Sequence, residues 1–155
     1  MLFFIVSVSV PLLVYVAAPK LLNAHKEWNW LLLIACTVFF LSWYLPSPLI
    51  DGKQTQFMTH FVGGGIFTGL LWLYIKLVKK WRAVWWVEAA SLFALVSTLG
   101  VANELFEFVL FKLGHMPLGI SDTSYDLVAN TLGALSLYLV YVVARRTQQE
   151  SDRAD

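Results

Sequence analysis

The run Gly100-Val101-Ala102-Asn103-Glu104-Leu105-Phe106-Glu107-Phe108 sets two carboxylates and an amide among Leu, Val and Phe, inside an apolar stretch from Ala83 to Phe111. An ionisable group at the centre of a membrane span costs about 2.5–3.5 kcal/mol, so such residues are functional candidates. Glu104 and Glu107 are i and i+3, about one turn apart on one helix face. Like charges that close in low dielectric need a proton, an imidazole or a metal ion between them. Residues of the right type stand elsewhere in the chain: Asp51, His60 near the start of an apolar run, then Asp122, Asp126 and Asn130. Carboxylates with an imidazole suit Mg²⁺, Mn²⁺, Zn²⁺ or iron. His60, Glu104, Glu107 and Asp126 are therefore read as metal ligands or general acid/base groups. Asp51, Asp122 and Asn130 are read as binding groups.

Plainer roles exist for several of these residues. Thr123 with Asp126 has the capping-box spacing, and Asp122 suits a helix cap. Asn130, four residues after Asp126, suits a hydrogen bond between helices. His60 suits a buried hydrogen bond, and His25 and His115 lie in polar connections. Cys36, the lone cysteine, sits in an apolar run and suits packing; it excludes an intrachain disulfide or a thiolate zinc cluster.

The elements that must carry these groups are apolar helices. Of the 155 residues, 59% are hydrophobic and only 14% charged, and the mean hydropathy is +0.69, the composition of a polytopic membrane protein. The net charge of +1 says nothing about nucleic acid, and with no basic stripe and no Gly-rich phosphate loop no nucleic-acid partner is expected. The apolar runs predict an all-α, single-domain bundle over residues 1–146, with spans at about 2–18, 30–50, 57–78, 83–111 and 124–144. Residues 147–155 are expected to form a disordered tail. The first run has no positive segment before it and Pro19 behind it, which favours a retained helix, kinked at Pro11, over a signal peptide. Gly65 and Gly69 make a small-xxx-small face for close helix approach, and His60 shares a face with Gly64. Glu88 falls beside Trp85 and Trp86 and is expected to face headgroups or to pair with the basic loop of Lys76, Lys79, Lys80 and Arg82.

Five spans put the termini on opposite sides. With the N-terminus outside and the C-terminus cytoplasmic, nine Lys and Arg residues fall inside and two, Lys53 and Lys112, outside, a positive-inside distribution. Asp51, His60, Glu104, Glu107, Asp122 and Asp126 then share one depth near the outer leaflet.

Asp51, His60-Phe61, Glu104-Leu105-Phe106-Glu107, Asp122-Thr123-Ser124-Tyr125-Asp126 and Gly133-Ala134 follow one another in an order that resembles the VanZ-like proteins. The order is closer still to the YjdF-like group of bacterial inner-membrane proteins. VanZ-like members more often carry Glu-x-x-Gln and Asp-x-x-x-Asn. Asp126 with Asn130 fits the latter, while Glu107 stands in place of the Gln. The resemblance covers about residues 51–134. It implies a bacterial plasma membrane, the cell envelope and a link to teicoplanin-type glycopeptide resistance, but no reaction. Two functions follow. One is a site in contact with the lipid bilayer that binds an envelope or lipid ligand. The other is a metal-dependent intramembrane hydrolase or transferase acting on a lipid or lipid-linked precursor.

Overall fold

The computed structural model describes residues 2–24, 26–50, 52–114 and 120–154. Its helices are α1 (Leu2–Leu22), α2 (Asn29–Ser42), α3 (Phe67–Val78), α4 (Trp85–Lys112) and α5 (Ile120–Ala154). A 3₁₀ turn (Lys26–Trp28) precedes α2, and a π-helical segment (Thr59–Ile66) runs directly into α3. Between α2 and the π segment lies a minimal hairpin, in which Leu49 pairs with Gln54 and Ile50 with Lys53.

Among the described residues, four helices are long and apolar enough to cross a membrane: those over Phe4–Leu22, Thr59–Val78, Trp85–Lys112 and Thr123–Asp152. The second expected span, 30–50, is not among them. Here α2 has 14 residues, or about 21 Å of rise, against a hydrocarbon core of about 30 Å. Pro46 accounts for the early stop, because it disfavours helical backbone at Leu45. The chain unwinds through Trp43 to Leu45 with the Tyr44 and Leu45 amides bonded back to Leu41 and Ser42. By contrast, α1 runs four residues past the expected end at 18, continuous through Pro11 and Pro19. The tail expected to be disordered continues α5 as helix to Ala154. Its Ala, Arg, Gln and Glu residues are good helix formers, and neither Gly nor Pro interrupts them.

Contacts between helices fix their directions. Lys79 Nζ donates to the Leu22 carbonyl at 2.8 Å, which brings the C-terminal ends of α1 and α3 together. Thr59 Oγ1 donates to the Ser42 carbonyl at 3.3 Å, so α2 runs against the π segment. Gly65 faces Gly133, and Gly69 faces Leu137, so α3 and α5 run parallel. Near the start of α4, Glu88 meets Lys76 and Arg145, late in α3 and α5. Thus α1, α3 and α5 point one way and α2 and α4 the other. The π segment, α3, α4 and α5 form the polar-lined centre. Buried Leu31, Leu32 and Ala35 of α2 join Phe67, Leu70 and Tyr74 in one core, and Trp72, Leu92, Val96, Ala134 and Tyr138 form another. The outer surface is apolar, with Leu21 81% and Trp85 72% exposed, as suits contact with lipid.

Candidate functional site

The helix directions bring the start of the π segment, the late part of α4 and the start of α5 to one end. His60, Glu104 and Asp126 converge there. One ligand atom from each lies within 4.8 Å of the others. His60 Nε2 is 3.5 Å from Asp126 Oδ2, with both residues buried. Glu104 Oε1 is buried without a hydrogen-bond partner, which costs about 1–3 kcal/mol or more for a charged group.

These distances suit a metal ion. Two ligands at about 2.1 Å from a tetrahedral zinc stand about 3.4 Å apart, close to the His60–Asp126 separation. The three ligand atoms lie within 4.8 Å of one another, so closing on a tetrahedral ion would draw them together by up to about 1.4 Å. The group of His60, Glu104 and Asp126 could therefore hold a divalent cation through one nitrogen and two oxygens.

Local packing sets this geometry. The i→i+5 bonding of a π helix widens the coil, a feature frequent at functional sites. Here it carries Gly63, Gly64 and Gly65. A methyl group at Gly65 would lie 2.7 Å from the Gly133 Cα, and one at Gly64 would lie 2.6 Å from the Asn130 Cγ. Only hydrogen fits at these contacts, so glycine lets the π segment rest on α5 backbone to backbone and holds His60 against Asp126. The expected shared face of His60 and Gly64, and the Gly65/Gly69 contact face, are both present. Asn130, one turn after Asp126, is buried, with its amide lodged between Gly64 and Gly100.

The other candidates separate from the group. Glu107 does not join the ligand set; its Oε1 accepts from Asn103 Nδ2 at 2.7 Å. Three residues of α helix turn it about 60° from Glu104 and carry it about 4.5 Å further along the axis. The capping-box reading of Asp126 is overturned, because α5 starts at Ile120 and puts Asp126 in its second turn. Asp51, His25, His115 and the side chain of Asp122 lie outside the described residues.

A second polar group, about 24 Å from Glu104 along α4 at 1.5 Å per residue, surrounds Glu88. Glu88 is 1% exposed and pairs with Lys76 Nζ, itself 6% exposed. Arg145 Nη1 stands 3.5 Å from the same carboxylate. Lys76 Nζ also donates to the Trp81 carbonyl at 3.1 Å and lies 5.6–5.8 Å from the ring centres of Trp72, Trp81 and Tyr141. The expected pairing of Glu88 with the basic loop is present, but Lys76 belongs to the buried helix. Its sequence signal was Trp72, four residues earlier on the same face.

Neither a family model, nor a curated protein, nor a solved structure matches this chain.

Proposed function

We propose that this chain is a metal-dependent enzyme of the bacterial inner membrane, related to the VanZ-like and YjdF-like proteins. In this reading the site lies near the outer leaflet and acts on a lipid or lipid-linked envelope precursor as a hydrolase or transferase. The observation that carries it is the convergence of His60, Glu104 and Asp126 with an unsatisfied buried oxygen on Glu104. A cation there answers the carboxylate repulsion, and three protein ligands are the number found in catalytic zinc sites, which keep a further position for water or substrate. Such an ion supplies Lewis acidity and lowers the pKa of bound water. His60, Glu104 and Asp126 hold it, while Glu107, one turn further along α4, is the residue assigned to proton transfer. The nine-to-two distribution of basic residues supports the outer-leaflet placement.

The test is elemental analysis of the purified full chain, with His60→Ala, Glu104→Gln and Asp126→Asn alongside, followed by turnover of bacterial lipid extracts. One ion per chain in the wild type, lost in the variants, with a lipid product that depends on it, is the expected result. Absence of metal and of product sinks the reading.

A non-catalytic reading rests on Asn130, whose packing against Gly64 and Gly100 makes part of the polar cluster a helix joint. The site would then bind an envelope ligand or a teicoplanin-type glycopeptide. Alanine at His60, Glu104 and Asp126 would change resistance with no turnover to lose.

A further inference from the structure

At the end of the bundle opposite His60, a cavity of about 520 Å³ opens between the 3₁₀ turn, the end of α3 and the late part of α5. Lys76, Lys80, Arg82 and Arg145 line it against a single acid, Glu27. Glu88, buried behind Lys76, offsets one more cation, which leaves an excess of two positive charges. Trp28, Trp81 and Tyr141 form apolar walls, and exposed Trp85 and Trp86 stand in the same end of the bundle. Tryptophans at the ends of apolar helices sit at headgroup level.

Lys80 adds an independent observation. It sits just past α3 at φ +50°, in the left-handed region. The Trp81 amide bonds back to the Lys76 carbonyl at 2.9 Å, the helix-ending motif whose left-handed position glycine ordinarily fills. A lysine there gives up backbone comfort and places its exposed ammonium group on the cavity wall.

We propose that this cavity binds the phosphate-bearing headgroup of an anionic phospholipid. Arg82 and Lys80 supply charge at the rim, Arg145 reaches in from α5, and the indole and phenol rings lie along the glycerol and upper acyl region. Basic pockets between spanning helices bind anionic lipid in this manner. The aromatic walls and the depth at the bundle end favour a lipid over a free anion.

The test is native mass spectrometry of the delipidated full chain in detergent, titrated with phosphatidylglycerol and with phosphatidylcholine, and repeated with inorganic phosphate as competitor. Wild type is expected to prefer phosphatidylglycerol. Lys80→Gly and Arg82→Gln are each expected to weaken it about fivefold, the worth of one basic residue near an anionic headgroup. Lys80→Gly should do so with an unchanged or higher melting temperature, because glycine relieves the left-handed backbone. Equal binding of the two lipids overturns the proposal, as does full retention of preference in both variants. Displacement of phosphatidylglycerol by millimolar inorganic phosphate also overturns it, since the site would then take a free anion.

Discussion

Replacing Lys76, Glu88 or both by methionine tests what the buried ion pair does for the bundle. Each ion is nearly inaccessible, and removing one partner of such a pair costs about 3–5 kcal/mol, because the other charge stays buried. The two single changes should not be equal. After Glu88→Met the ammonium keeps the Trp81 carbonyl and three aromatic faces, each ring worth about 0.5–2 kcal/mol, so a loss of about 2–3 kcal/mol is expected. After Lys76→Met the carboxylate keeps, among the described residues, Arg145 alone, at 3.5 Å and with a side chain 46% exposed, so about 4 kcal/mol is expected. The double variant replaces both ions with apolar chains of similar volume, a change often neutral or stabilising. Its loss should be about 1 kcal/mol, against about 6–7 for the sum of the singles. Reversible unfolding in mixed micelles, followed by tryptophan fluorescence, measures all four corners of the cycle, with Trp72 and Trp81 beside the pair as reporters. Single losses below about 1 kcal/mol, or a double loss within about 0.5 kcal/mol of additivity, would refute the account of this pair as a coupled buried unit.

Four further outcomes are expected. Gly65→Ala forces a methyl into the α5 backbone and should cost about 1–3 kcal/mol in the same unfolding assay. Gly114→Ala, at φ +76° with no atom of the described residues within 4 Å, should lose only about 1 kcal/mol for its backbone conformation. Zn²⁺ or Mn²⁺ at a hundredfold excess over its dissociation constant should stabilise the wild type by about 2.7 kcal/mol. Asp126→Asn should show much less of that gain, and thermal scans with and without the ion check it.

Much of the candidate site was legible because its residues are costly where they stand. Glu104 and Asp126 are acids among apolar neighbours, and the order of the apolar runs put them at one depth with His60. Residues outside that cost argument were harder to place. Glu107 is as costly as Glu104 by composition, yet a rotation of about 60° gives it a different partner, and hydropathy does not encode rotation. The π segment also escapes the sequence pattern. Its i→i+5 bonding depends on a glycine run meeting Gly133 of a distant helix, a tertiary contact. The short α2 could not be read from apolarity, which continues through Leu45, whereas Pro46 reaches back to limit the helix. Charge alone groups Lys76 with the loop cations, although the expected span 57–78 already contains it and α3 ends at Val78.

The parallel course of α3 and α5, with α4 reversed between them, bears on how the chain is made. His60 and Glu104, on helices long and apolar enough to cross a membrane, are synthesised before Asp126, and Glu88 likewise before Arg145. Until α5 arrives, His60 and Glu104 lack Asp126, whereas Glu88 already has Lys76 and lacks only the more distant Arg145. A chain halted before residue 120 would present His60 and Glu104 to lipid, a cost the finished protein never meets. Closing of the His60 group is thereby tied to synthesis of α5, which carries Asp126.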